Sequence, residues 1–163
     1  LVHELGHSFA GLADEYYTSP VSYEEFTSPG VEPYEPNVTA LLDPAALKWA
    51  DLVEPGTPLP TPWDQEAYDR VSLAYQAERQ RLREEGASEE AMEALFREVA
   101  AETRPLLESE PHYGKVGAFE GASYEAKGLY RPEVDCLMFT RNPTWYCAVC
   151  TRALERTIDL YVE

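Results

Sequence analysis

The first ten residues of the chain, LVHELGHSFA, constrain everything that follows them. His3 and His7 stand four apart, so on a helix both imidazoles project from one face, a turn apart, and can grip one zinc ion through nitrogen. Glu4 sits beside them. It cannot easily reach the same metal, but it is placed to take a proton from water there, as the general base of a zinc hydrolase does. Apolar Leu1, Val2, Leu5 and Phe9 recur at helical spacing, and Gly11 is the natural stop. The same five-residue pattern also arises by chance on ordinary surface helices, so the surroundings decide. A catalytic zinc needs a third protein ligand and an open position, and two carboxylates, Asp14 and Glu15, follow the stop.

The remainder of the chain can build a domain around that helix. With 163 residues, 44% of them hydrophobic, it is long enough to bury a single core. Thirteen Lys and Arg against thirty Asp and Glu leave a net charge of -17, which excludes attraction to phosphate backbones or anionic lipid and with it nucleic acid as a partner. Otherwise the charge reads as solubility. No apolar run reaches the ~18 to 20 residues that span a bilayer. Leu1-Val2 read as a helical turn already under way and there is no initiator Met, so the chain is expected to be a fragment, and the lack of a leader says nothing of compartment.

Prolines from Pro20 to Pro62 predict an ordered but irregular excursion over residues 16–62, with a short helical turn where Asp43 caps and Pro44 takes the first position. Tyr68, Val71, Tyr75 and Leu82 define an amphipathic helix over residues 64–85. After Gly86, Ser88 caps a second helix with Met92, Leu95, Phe96 and Val99 on its apolar face, closed by Pro105. The pair reads as a helical hairpin inserted at residues 64–111. Gly- and Tyr-rich residues 113–135 predict strands and turns, and a last helix sets Cys147, Cys150, Leu154, Ile158 and Tyr161 on one face. Asn37-Val38-Thr39 fits a glycosylation sequon but reads better as an Asx-type turn.

A glycine followed three residues later by a ligand resembles the way metzincin zinc peptidases end the helix and bring the third ligand to the metal. By that register the ligand is Asp14, three after Gly11. One extra residue separates His7 from the glycine, and Asp stands where metzincins usually have His, so Glu15 stays open as the alternative. The Met of the metzincin turn beneath the metal would be Met138, in Asp135-Cys136-Leu137-Met138.

Four blocks, HELGHSFAGLADEY, PYEPNVT, KVGAFEGASYEAKGLYRP and CLM followed by CAVC, together resemble the M64 family of IgA-peptidase-like zinc metallopeptidases. The resemblance covers most of residues 1–62 and 113–155. It implies an α+β, metzincin-like catalytic domain, mostly helical and irregular in this C-terminal portion. The N-terminal sheet that lines the upper rim of the cleft is expected to be missing. It also implies one catalytic Zn2+ on His3 and His7, Glu4 as base, a protein or peptide substrate, and a secreted, cell-surface or periplasmic location. Tyr130, eight residues before Met138, is a candidate for a substrate contact.

Cys136, Cys147 and Cys150 are candidate structural cysteines: a disulfide tying the Met turn to the last helix, three buried thiols, or a structural zinc. Their spacing weakly resembles the archaemetzincins, whose second zinc uses a fourth Cys directly after the third catalytic ligand, a position that is Glu15 here. The expected activity is a zinc endopeptidase. Its rivals are a zinc amidase on non-protein substrates and an inactive, zinc-stabilised surface binding module. Oligomeric state is unread.

Overall fold

The computed structural model describes residues 2–18 and 30–162; Leu1, Pro20 and Pro29 lie outside them. Among the described residues the chain is mostly helical, with one two-stranded antiparallel sheet. Helix α1 spans Val2–Ala10 and stops at Gly11, whose φ of +62° is one that a Cβ would oppose. Gly11 N donates to His7 O at 3.1 Å and Leu12 N to Gly6 O at 3.2 Å, a left-handed cap that satisfies the last carbonyls and turns the chain back. The apolar stripe of α1 is not its buried face: Val2, Leu5 and Phe9 are exposed, and Gly6 is buried. A Cβ at Gly6 would lie 3.0 Å from Met138 Sδ and 3.1 Å from Tyr146 Oη, so the missing side chain is what lets α1 settle onto the turn below it.

Residues 30–62 hold only two short 3-10 turns, Pro44–Ala46 and Ala50–Leu52. Asp43 caps the first through Ala45 N at 2.9 Å, with Pro44 at its first position. The irregular chain is tied down by Lys48, whose Nζ donates to Pro33 O, to Glu35 O at 2.8 Å and to Val38 O at 2.6 Å. Next to it, fully buried Trp49 donates Nε1 to Gly117 O at 2.7 Å. An ammonium group and an indole thus satisfy carbonyls that no regular structure pairs.

Helices α2 (Gln65–Glu84) and α3 (Glu89–Glu108) pack on each other, capped by Asp64 and Ser88. Pro105 does not close α3 but lies inside it. Buried Thr103 and Leu107 on either side hold the last turn on the core, which offsets the N–H that proline lacks. The base of this hairpin is anchored: Tyr68 and Leu107 join the main core, Tyr17 Oη donates to Asp69 at 2.6 Å, and Asn142 Nδ2 donates to Thr103 Oγ1 at 3.1 Å.

Strands β1 (Phe119–Ala122) and β2 (Glu125–Arg131) pair with Phe119 opposite Arg131 and Ala122 opposite Glu125, with a bulge at Gly121. Thr39 bridges to Tyr130 on the outer side. Helix α4 (Ala148–Asp159) starts at its cap, Cys147, and buries Val149, Cys150 and Ala153. The predicted stripe on this helix therefore holds only near its start, since Ile158 and Tyr161 are exposed. Fully buried Arg131 sits amid the core aromatics, its guanidinium carbon 3.8 Å from the Phe139 ring centre and 4.3 Å from that of Trp63.

Gly121 combines a φ of +100° with a position where a Cβ would fall 2.4 Å from the Tyr17 ring. Gly121→Ala is expected to cost about 2–4 kcal/mol of stability through backbone strain and overpacking, measured by urea unfolding. Glu155→Ala, at an exposed position of the last helix, serves as a control and is expected to leave the midpoint unchanged.

Candidate metal centre

The cap at Gly11 returns the chain beneath α1, so that Asp14 meets both imidazoles. His3 Nε2 lies 2.9 Å from Asp14 Oδ1, His7 Nε2 lies 3.1 Å from the same oxygen, and the two Nε2 atoms are 3.1 Å apart. Each ring uses its other nitrogen on a backbone carbonyl: His3 Nδ1 donates to Leu137 O at 3.0 Å and His7 Nδ1 to Leu12 O at 2.6 Å. A carbonyl only accepts, so both Nδ1 atoms carry protons, and in the neutral rings both Nε2 atoms present lone pairs. Two lone pairs and a carboxylate oxygen then converge with no donor between them, which is the environment of a cation. Tetrahedral zinc with ligands at about 2.0–2.1 Å sets them about 3.3 Å apart, close to all three edges of this triangle. The donor set fits the metal.

Electrostatics agree with the geometry. Without metal, a protonated His3 donates Nε2–H to Asp14, and this hydrogen bond raises the His3 pKa above its ordinary value, against burial, with the Glu4 charge adding to the effect. Burial alone would raise Asp14, but hydrogen bonds from His3 and Tyr124 hold it below its ordinary value.

Asp14 and Glu15 part company because Asn37 grips the residue before them. Its Oδ1 accepts from Ala13 N at 2.8 Å and its Nδ2 donates to Ala13 O at 3.0 Å. Asn37 is fully buried and spends its carboxamide on Ala13 and Glu15, not on a local Asx turn. Beyond this clamp Asp14 turns to the imidazoles and Glu15 to the opposite side, fully buried, with Oε1 accepting from Asn37 Nδ2 at 2.9 Å and Cys150 Sγ at 3.2 Å. Burial and the neighbouring Cys136 raise the Glu15 pKa well above the usual carboxylate range. Of the two carboxylates the sequence offers, Asp14 is the one brought to His3 and His7.

A family model described as IgA Peptidase M64 matches residues 1–158. The chain belongs to the M64 peptidase family. Membership makes it a hydrolase with protein or peptide substrates, from a family of metallopeptidases. No curated protein matches the chain. No helix among the described residues is long and apolar enough to cross a membrane.

In this M64 chain Met138 is fully buried, its sulfur against Gly6 between the two histidines of α1. The residue before it, Leu137, supplies the carbonyl that orients His3, and Met138 O accepts from Glu15 N at 2.8 Å. Glu4 is exposed on α1. The three cysteines are buried and free, the Cys136 and Cys150 sulfurs 3.9 Å apart, so the disulfide among the sequence's options is not formed. Tyr130 is held through its backbone to Thr39, at 2.9 and 3.0 Å, and none of the described hydrogen bonds of the triad reaches it.

The tyrosine that does reach the triad is Tyr124, whose hydroxyl donates to Asp14 Oδ2 and lies 2.9 Å from that of Tyr16. Sequence reasoning passed over it. Ser123 and Tyr124 form the two-residue loop of the hairpin with φ of 48° and 67°, the type I′ pattern that normally takes Asn-Gly. Such strain costs of the order of 1–3 kcal/mol per residue and persists where surroundings impose it. Here Ser123 N donates to Asp14 O and Tyr124 N to Tyr16 O, both at 3.0 Å. The one signal in the sequence was a bulky residue at a strand-to-strand turn.

In metal-free protein the His3–Asp14 pair has a pH window. The raised His3 value contributes stability that is full below its ordinary 6.5 and is lost as pH rises through the raised value. The lowered Asp14 value contributes stability present above its ordinary 3.8 and lost as pH falls through the lowered value. The stability gap between wild type and His3→Gln in chelator, read from urea midpoints, is therefore expected to be widest between pH 3.8 and 6.5 and to narrow on both sides.

Proposed function

We propose that this chain carries the catalytic centre of a zinc-dependent endopeptidase with a metzincin-like layout. His3 Nε2, His7 Nε2 and Asp14 Oδ1 hold the metal, and Glu4 acts as general base. The observation that carries this reading is the triangle of three acceptors, each about one zinc-ligand edge from the next, on a chain of the M64 family. On the same family resemblance the enzyme is secreted or works at the cell surface or in the periplasm. The hairpin of residues 64–111 is then an insertion in one catalytic domain.

Zinc held by His3, His7 and Asp14 would supply a Lewis acid for the scissile carbonyl and would lower the pKa of water to about 7. The protein's residues do the rest. Glu4, on the open side of α1, accepts the proton of the attacking water and hands it to the leaving amine. The Leu137 and Leu12 carbonyls keep both imidazoles in the tautomer with Nε2 free. Tyr124 occupies Asp14 Oδ2 and so leaves Oδ1 to the metal. Met138 forms an apolar floor that limits the movement of α1. Tyr130, on β2, keeps the role of a candidate contact for the substrate backbone.

Glu4→Gln is expected to keep zinc, measured by metal analysis, while cleavage of a peptide library falls by about 10²–10⁴-fold. His7→Ala is expected to lose both zinc and cleavage. Zinc loss in Glu4→Gln, or turnover of non-protein amides in preference to peptides by the wild type, would count against the assignment.

A further inference from the structure

A second set of metal-ligand atoms lies on the far side of the Ala13–Glu15 segment and takes no part in the peptidase reading. Glu15, Cys136, Cys147 and Cys150 come from three separate stretches of chain, are all buried, and bring one ligand atom each to within 4.8 Å of the others. We infer that these four residues form a structural metal site that takes zinc through three thiolates and one carboxylate.

Three observations support it independently of the His3–His7–Asp14 triangle. The first is spacing. Cys136 Sγ and Cys150 Sγ lie 3.9 Å apart, far beyond the ~2.05 Å of a disulfide bond. Tetrahedral zinc with bonds of about 2.3 Å sets two sulfurs about 3.8 Å apart. The second is what surrounds the sulfurs. Cys136 Sγ accepts from Cys147 N at 3.2 Å and Met138 N at 3.5 Å, and Cys147 Sγ accepts from Cys150 N at 3.5 Å. Backbone N–H groups aimed at sulfur stabilise thiolate and orient it, the role outer partners play around metal ligands. Cys147 is also the cap of α4, where the positive end of the helix favours a negative sulfur.

The third observation is an orphaned atom. Glu15 is fully buried, yet its Oε2 has no hydrogen-bond partner, while Oε1 already receives Asn37 and Cys150. A buried carboxylate oxygen left bare is costly, and a cation among the sulfurs removes the cost. Fully buried Arg131, whose positive charge acts on Glu15, offsets part of the remaining negative charge. Binding releases the thiol protons to solvent as the metal–sulfur bonds form, and no electrons move. The consequence is positional: the site cross-links the Asp14–Glu15 segment, the Leu137–Met138 turn and the start of α4, and so locks two partners of the first centre from behind.

The test separates the two sites. A His3→Ala/His7→Ala variant of the full-length protein, equilibrated with zinc and analysed for metal, is expected to retain about one zinc per chain where the wild type holds about two. Folded double variant with no zinc overturns the proposal and leaves the first site untouched. Wild-type protein reconstituted with Co2+ is expected to show thiolate-to-cobalt charge-transfer absorption that Cys147→Ser weakens. Its absence at two bound cobalt ions overturns the assignment. Thiol titration of the denatured, unreduced protein after metal removal is expected to count all three cysteines, and a count of one would establish a disulfide instead.

Discussion

The structure depends on a clamp between one side chain and one peptide unit. The Asn37 carboxamide takes both the N–H and the C=O of Ala13, and in doing so fixes a stretch whose next two side chains go to different sites. Asp14 goes to the imidazoles and Glu15 to the sulfurs. Neither carboxylate has a choice once Ala13 is held. Because Asn37 is itself carried by the irregular 30–62 segment, the Lys48 ammonium and the Trp49 indole that pin that segment are part of the same support. A region with almost no regular structure thus decides where the charged groups stand.

Around this clamp the rest of the fold supplies orientation. Gly6 lets α1 approach Met138, which brings the Leu137 carbonyl under His3, and the Gly11 cap brings the Leu12 carbonyl to His7. Each imidazole is therefore held by the backbone just beyond the element that faces it. The hairpin loop at Ser123-Tyr124 closes the set from the other side, its strained backbone bonded to Asp14 and Tyr16. Buried Arg131 ties the sheet to the core by donating to Glu120 O, Gly121 O and Val134 O, and stacks on Phe139 beneath. Burial lowers its pKa, while the Glu15 and Asp135 carboxylates about it act in the opposite direction.

Much of this was legible in the sequence where one short segment carries the information. The i, i+4 histidines, the glycine stop, the capped helices of the hairpin and the cap at Asp43 depend on neighbours within a turn, and each forms where its spacing predicts. Readings that depended on a distant partner fared differently. Pro105 stays helical because Thr103 and Leu107 are buried against the core, and the α4 stripe fades because Ile158 stays exposed and Tyr161 meets the Phe9 ring of α1 at the surface and not in the core. Asn37 looked like a turn residue because its true partner is Ala13, far back in the chain.

The sequence by itself determined the chemistry on offer: two imidazoles a turn apart, a carboxylate beside them, two more after a glycine, three thiols near the end, and membership of a peptidase family. Which carboxylate meets the imidazoles, which tyrosine steadies it, and whether the thiols stand alone or around Glu15 were decided by tertiary structure alone. The physical reason is range. Helical spacing and caps are set by bonds between residues a few positions apart, whereas the contacts from Asn37 to Ala13, Tyr124 to Asp14 and Cys150 to Glu15 join segments that only the packed core brings together.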